Sequence, residues 1–178
     1  MYNREEIIEK GLEIVKEYLL TDETVLFYDF CVKARRKVTP VTEVLAATEG
    51  DPGLFAFTNH NLFFVQKSGL ITATYSLEVR ISLEEILQLV ASGMVIKSLK
   101  ITTHQEGKEV DYTFLNFESV KSKKNKIEKI KADLEETIQK SVKMKSSVSG
   151  DIIVCEYCGE ENPKTNEKCK KCEAVLKK

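Results

Sequence analysis

The sequence predicts an α+β protein: an antiparallel β-barrel or sandwich that follows one helix, is capped by a second helix and precedes a small metal-binding ribbon. Three observations predict this architecture. Apolar side chains recur at the two-residue period of strands through residues 23–117, between glycine, proline and asparagine turns. Helical spacing flanks this region on both sides. Four of the five cysteines lie close together near the carboxyl terminus.

The first predicted element, in residues 1–20, is an amphipathic helix spanning residues 4–20. Asn3 followed by Glu6 resembles a capping box at its start. Its apolar stripe consists of Ile8, Leu12, Val15 and Leu19. A wide apolar stripe favours a helix docked on the main domain, and a dimerisation arm is the alternative.

The second predicted region, residues 21–142, consists of short strands and a closing helix. The runs 54–58 and 62–66 flank Asn59-His60-Asn61, which predicts a hairpin. A strand is expected over 71–75, and one helical turn over 82–86. Six or seven such strands with short turns predict a barrel or sandwich. Cys31 lies in an apolar strand and is expected to be a small core residue.

The closing helix is predicted over residues 118–142. Its apolar positions recur at steps of three, four and four, at Ile127, Ile130, Leu134 and Ile138. Serine and glycine at residues 146–150 predict a flexible linker over 143–152. The remaining residues, 153–178, are predicted to form a ribbon.

A family resemblance rests on the strand–turn–strand segment 53–64, with Thr58-Asn59 at its turn. This segment resembles the signature of prokaryotic pleckstrin-homology-like (PH-like) and related GRAM-type domains, and residues 82–86 resemble the short segment before that family's second sheet. The resemblance covers roughly residues 21–142. It implies two near-orthogonal sheets with one end plugged by the closing helix, and it implies no enzymatic activity.

Two Cys-x-x-Cys knuckles are the strongest chemical signal in the sequence. The predicted metal ligands are Cys155, Cys158, Cys169 and Cys172. Two intervening residues let both sulfurs of one knuckle reach a single ion, and two knuckles supply the four soft donors that tetrahedral zinc prefers. One structural Zn²⁺ is therefore expected. Paired redox dithiols and a rubredoxin-like iron site are the alternatives, although neither pair has a thioredoxin-like βαβ context.

The knuckles also show local features that favour such a site. Lys168, Lys170 and Lys171 are placed to offset the charge of four thiolates around a divalent ion. Gly159 follows the first knuckle, where a positive φ is often required, and Glu173 takes the equivalent place in the second. That second turn is expected to be less favourable.

The tail resembles zinc-ribbon modules, and its spacing is similar to that of the Ran-binding-protein type of zinc finger. Asn162 stands where that family has an asparagine between the knuckles. Members that bind single-stranded RNA have a tryptophan before the first cysteine, where this chain has Ile153. Members that bind ubiquitin have Thr-Phe after the second cysteine, where this chain has Gly159-Glu160. The resemblance therefore implies a general protein-contact ribbon.

Composition limits the classes of function. With 27 basic and 28 acidic side chains, the whole chain is not a dedicated polyanion binder. The charged amino terminus has no signal-peptide pattern, and an odd number of clustered cysteines is a poor disulfide framework. Both features predict a cytoplasmic protein. We find no glycine-rich phosphate loop, catalytic triad or acid–base pair, so no small-molecule substrate is indicated and an enzyme is not expected.

Two basic segments are candidate anion-binding sites. Lys33, Arg35, Arg36 and Lys37 end the first strand, and the resemblance implies that such residues grip a phosphoinositide headgroup; a solvated strand end is the alternative. Lys123, Lys124 and Lys126 belong to the second segment, at the start of the closing helix. Residues 118–150 hold nine basic and five acidic side chains, which favours either an anionic partner or a solubilising face.

These observations predict a non-enzymatic binding or scaffold protein whose PH-like domain and ribbon contact protein partners. The alternative is a protein that associates with nucleic acid or anionic lipid through the two basic segments. A redox or metal-handling protein is a third class. Homo-oligomerisation through strand edges or the first helix stays open.

Overall fold

A computed structural model describes residues 3–35, 49–69, 72–92, 97–115, 117, 126–149, 152–163 and 166–176. Within these ranges one helix precedes a seven-stranded sheet along the chain, a second helix follows it, and a two-stranded sheet comes last. The helices are α1 (Arg4–Glu17) and α2 (Lys126–Ser149). The strands are β1 (Val25–Lys33), β2 (Asp51–Thr58), β3 (Asn61–Ser68), β4 (Thr74–Ser82), β5 (Ile86–Ser92), β6 (Ser98–Gln105), β7 (Lys108–Leu115), β8 (Ile152–Val154) and β9 (Glu161–Pro163).

The chain divides into two compact units, Met1–Ile138 and Gln139–Lys178. In the first unit the strand order is β4-β3-β2-β1-β7-β6-β5, and every pairing is antiparallel. The described pairing of β1 with β7 is short, Val32 with Leu115 and Lys33 with Phe114. It joins a four-stranded and a three-stranded meander into an open, sandwich-like sheet. The predicted α+β class is confirmed at this level.

Strands β2 and β3 are buried on both faces, which explains their nearly uninterrupted apolar sequence. Phe55 and Phe57 of β2 face the main core, which residues from the other meander and from α2 also enter. Leu54 and Ala56 alternate with them and pack against α1. The predicted hairpin is confirmed, since Leu54–Phe57 pair with Leu62–Val65.

Helix α1 docks on the sheet, as the sequence favoured. The Asn3 side chain accepts a hydrogen bond from the Glu6 backbone N–H at 3.3 Å and caps the helix. Ile7, Gly11 and Val15 are its fully buried positions, so the contact face is rotated from the predicted stripe, of which Ile8, Leu12 and Leu19 are only partly buried. The reason is Gly11: a Cβ at this position would lie 2.6 Å from the Leu54 Cβ, so the helix backbone rests directly on the sheet.

Helix α2 buries Ile127, Ile130 and Leu134 in the main core, and Ile138 packs partly against it. Its described part begins at Lys126 and continues through Ser149, so most of the predicted linker 143–152 is helical. The physical reason is that this stretch contains no glycine or proline before Gly150. The flexible linker predicted from the serine content was therefore wrong for residues 143–149.

The predicted helical turn is confirmed, whereas one predicted strand begins later than expected. The predicted helical turn is a single 3₁₀ turn, Leu83–Glu85. Glu106 and Gly107 both have positive φ, 49° and 80°, as a tight turn between β6 and β7 requires. The strand expected over 71–75 instead begins at Thr74 and extends to Ser82. No helix in the described ranges is long and apolar enough to cross a membrane.

Candidate metal centre

The first knuckle is built by backbone hydrogen bonds that close a tight loop around Cys155. The Cys155 N–H donates to the carbonyl of Glu160 at 2.9 Å, and the Gly159 N–H donates to the carbonyl of Cys155 at 2.9 Å. Strands β8 and β9 continue this loop as a short antiparallel pair. The loop fixes the direction in which Cys155 and Cys158 project their sulfurs.

The second knuckle repeats the same pattern. The Cys169 N–H donates to the carbonyl of Ala174 at 2.8 Å, and the Glu173 N–H donates to the carbonyl of Cys169 at 2.9 Å. Gly159 and Glu173 hold equivalent places and both have positive φ, 72° and 59°. A residue with a left-handed backbone therefore follows each knuckle, as expected. In the second knuckle this residue is a glutamate.

The four sulfurs of the predicted ligands converge on one point. All four Sγ atoms lie within 4.8 Å of one another. Two close approaches join the knuckles: Cys155 to Cys172 and Cys158 to Cys169, each at 3.6 Å between Sγ atoms. A tetrahedron with metal–sulfur bonds of ~2.3 Å has edges of ~3.8 Å, whereas a disulfide is ~2.05 Å long. The donor set therefore fits a four-coordinate metal ion.

Few apolar contacts hold this unit together. Among the described residues of the ribbon, the buried members of its apolar cluster are Cys155, Cys169 and Leu176, against which Ile153, Cys158 and Ala174 pack in part. Two of these three buried members are candidate metal ligands. Such a small cluster cannot offset the conformational entropy of the chain, so the fold of this unit depends on an additional link between the knuckles.

Asn162 provides a polar link between the knuckles. Its side chain is buried at 1% exposure. The Nδ2 atom donates to the Glu160 carbonyl at 2.8 Å and to the Cys169 Sγ at 3.5 Å, while Oδ1 accepts from the Lys170 N–H at 2.8 Å. The sequence singled out this residue only through its family resemblance, and the structure places it beside the sulfurs.

The thiols differ in their tendency to ionise. Burial opposes ionisation of Cys169, but N–H donors of Cys172, Lys171 and Asn162 outweigh burial and lower the pKa of this thiol to about 6. A backbone N–H of Glu160 favours the thiolate of Cys158, yet burial and the neighbouring thiols raise its pKa to about 12. The Cys169 thiol therefore ionises more readily than the Cys158 thiol, and a bound cation would favour the thiolate form of its ligands.

Glu160 forms ion pairs with two of the lysines beside the cluster. Its Oε1 lies 3.2 Å from the Lys170 Nζ, and its Oε2 lies 3.5 Å from the Lys171 Nζ. The hydrogen bond from Lys170 is the main reason that the pKa of Glu160 is lowered. A carboxylate next to the first knuckle therefore offsets part of the positive charge that these lysines place near the thiolates.

Two of the candidate anion-binding residues, Lys33 and Arg35, form ion pairs with carboxylates. Lys33 forms an ion pair with Glu78 and lies 5.8 Å above the centre of the Phe64 ring. Arg35 contacts the Asp51 Oδ1 through Nη2 at 2.6 Å and through Nε at 2.8 Å. Strand β1 ends at Lys33, so Arg35 does not continue it. The structure does not bring these two cations together on one strand face.

The other candidates in this group are described only in part. Arg36, Lys37, Lys123 and Lys124 lie outside the described residues. Lys126 is the first residue of α2. Their assignment as anion ligands stays a prediction.

The structure adds one feature that the sequence did not indicate. A cavity of about 510 Å³ lies where β4 and its 3₁₀ turn face the β6–β7 turn. It is lined by Arg80, Glu85, Gln105, Glu106, Lys108 and Val110. The lining mixes both signs of charge, and no sequence pattern links these positions because they come from two distant hairpins.

No family model and no curated protein matches the chain. Among solved structures, the chain is similar to the hSac2 domain from the human phosphoinositide phosphatase Sac2, with 14% sequence identity and a TM-score of 0.48. The similarity covers 78% of this chain and 85% of that chain. A likeness at this level carries no inference about function.

Proposed function

We propose that the protein is a non-enzymatic binding or scaffold protein of the cytoplasm, in which a PH-like domain carries a structural zinc ribbon that contacts protein partners. The observation that carries the proposal is the closed set of four thiols, Cys155, Cys158, Cys169 and Cys172, at tetrahedral spacing. The ion would complete the ribbon.

Zinc suits this donor set better than harder cations do. Four sulfur donors select zinc or iron over magnesium and calcium, which require oxygen ligands. Because the protein would fill all four positions, the ion would have no place for water or substrate, so the site is assigned a structural role. All five cysteines are free thiols, which agrees with a reducing compartment.

The proposed PH-like identity is supported by the order of elements. Two antiparallel meanders share a core, and the helix that follows them, α2, buries Ile127, Ile130 and Leu134 between them. The engagement of Lys33 by Glu78 and of Arg35 by Asp51 weakens the case for an anionic headgroup at β1. A protein partner is therefore favoured over lipid.

The ribbon itself offers a surface for protein contact. Val154, Tyr157 and Val175 are exposed at 56%, 76% and 69%. The ribbon's own packing therefore leaves three large apolar side chains exposed to solvent. Exposed apolar groups with an aromatic side chain among them are typical of protein interaction surfaces.

Native mass spectrometry of the full chain, with elemental analysis, tests this proposal. We expect one zinc ion per chain, and retained proteins would identify the partner directly. Cys31→Ala is the matched control because Cys31 is buried in the main core and is not a ligand, so it should leave the metal content unchanged. A metal-free chain, or bound iron with its visible thiolate absorbance, would contradict the zinc assignment.

A further inference from the structure

The four cysteines of the metal centre differ in their access to solvent. Cys155 and Cys169 are 2% exposed, Cys158 is intermediate and Cys172 is exposed. Reagents in solution therefore reach Cys172 first. Its sulfur lies 3.6 Å from that of Cys155, which belongs to the other knuckle.

We propose that the ribbon is a peroxide-sensitive switch in which Cys172 is oxidised first and Cys155 resolves it, with release of the metal ion. This inference rests on the proposed metal site. The oxidant is hydrogen peroxide. Formation of the disulfide requires the two sulfurs, 3.6 Å apart, to approach by ~1.5 Å.

The chemistry balances in two steps. The Cys172 thiolate attacks one peroxide oxygen, the O–O bond breaks, and a sulfenic acid and hydroxide form. The Cys155 thiolate then attacks the sulfenic sulfur and displaces a second hydroxide, which leaves a disulfide. Two protons convert both hydroxides to water. Sulfur is oxidised by two electrons, and peroxide is reduced by two.

Loss of two ligands would unfold the ribbon. The ion would keep only the thiolates of Cys158 and Cys169, which is too few for a stable tetrahedral site. The apolar cluster of this unit contains two cysteines and Leu176 as its buried members, so little else holds the knuckles in place. Oxidation would thereby convert a folded contact surface into an unfolded one.

Treatment of the zinc-loaded full chain with equimolar hydrogen peroxide tests the inference. Released zinc is measured with a chromogenic chelator, and the disulfide is mapped by non-reducing peptide mass spectrometry after alkylation of the remaining thiols. We expect release in step with a Cys155–Cys172 disulfide, and reversal by a dithiol in the presence of zinc. A first disulfide between any other pair, or zinc retained after Cys172 is oxidised, would overturn the switch.

Two variants sharpen the result. Cys172→His keeps a metal ligand but cannot form the disulfide, and we expect release to slow by about tenfold or more. An unchanged rate would mean that Cys172 is not the first site of attack. Cys31→Ala should behave as the unaltered chain. If the reduced protein binds no metal, the proposed function fails; if it binds zinc that peroxide does not release, only the switch fails.

Discussion

Gly159 and Glu173 occupy equivalent positions in the two knuckles and share a left-handed backbone, with φ of 72° and 59°. Each donates its N–H to the carbonyl of the first cysteine of its knuckle at 2.9 Å. An L-residue with a side chain is strained by ~1–2 kcal/mol in this conformation, and glycine is not. The second knuckle therefore holds strain that the first avoids.

Glu173→Gly should stabilise the ribbon by about 0.5–1 kcal/mol, because relief of strain exceeds the added entropy of glycine in the unfolded chain. Since folding and metal binding are coupled, zinc affinity in a chelator competition should rise severalfold. Gly159→Ala is the matched control and should lower zinc affinity. Its added Cβ would meet nothing within 4 Å, so the loss of affinity would come from the backbone conformation alone. Equal affinities for all three chains would contradict this prediction.

Gly11→Ala should destabilise the larger unit by about 1–3 kcal/mol, although alanine is the better helix former. The new methyl group would lie 2.6 Å from the Leu54 Cβ and 2.8 Å from its Cδ2, so α1 must shift from the sheet. Urea denaturation followed by circular dichroism measures the change. Glu9→Ala, at an exposed position of the same helix, should stay within about 0.5 kcal/mol.

Protonation of Glu23 should make the larger unit less stable in acid. Burial opposes its ionisation, but hydrogen bonds from Thr58, Asn61 and the Leu20 N–H lower the pKa of the carboxyl below its ordinary value of 4.5. A carboxyl with a depressed folded pKa stabilises the fold above its unfolded pKa, and this contribution is lost as pH falls through the folded value. Stability should therefore decline below about pH 4.5.

The decline is measured by urea denaturation between pH 6 and pH 3. Glu23→Gln should flatten the pH dependence, because no charge is left to titrate. Thr58→Val removes the hydroxyl that donates to Glu23 and should cost about 1–3 kcal/mol near neutral pH. Parallel pH profiles for Glu23→Gln and the unaltered chain would show that another group is responsible.

Removal of the metal should unfold the ribbon and leave the sheet intact. The ribbon's buried cluster is Cys155, Cys169 and Leu176, whereas the larger unit has its own apolar core. Hydrogen exchange before and after treatment with a strong chelator should show lost protection within residues 152–176 and unchanged protection in the seven-stranded sheet. Retained protection of the Cys155 and Cys169 amides would contradict the role of the ion.

Binding to polyanions should be absent or weak even at low salt. Among the described candidate cations, Lys33 and Arg35 are engaged by Glu78 and Asp51. Retention on RNA, DNA or acidic liposomes that falls steeply with added salt would instead support the nucleic-acid or lipid alternative. In that event, neutralising Lys123 and Lys124 should reduce the salt dependence, whereas Lys33→Gln should mainly lower stability.

Local patterns in the sequence were enough to predict several elements. The capped helix after Asn3, the hairpin around His60 and the buried positions of α2 follow from spacing and turn chemistry, which act within a few residues. The four cysteines follow from ligand spacing within each knuckle, and their convergence is confirmed. Cys31 is fully buried in the main core, as its apolar strand predicted.

Other features depended on contacts between distant parts of the chain. The contact face of α1 depends on the close approach of Gly11 to Leu54. The spacing of apolar residues along the helix does not reveal this approach. Lys33 and Arg35 looked like a cationic cluster because their partners, Glu78 and Asp51, are remote in sequence. Asn162 became a link between knuckles only when folding placed it beside Cys169.

The sequence by itself determined the first helix, the central hairpin, the buried positions of α2 and the two knuckles, together with the residue types that are available to a metal ion. Only the tertiary structure decided which cations are paired with carboxylates and which sulfurs meet across the two knuckles. The physical reason is one of range: backbone propensity and ligand spacing act locally, whereas ion pairing, burial and close packing depend on which remote groups the fold brings together.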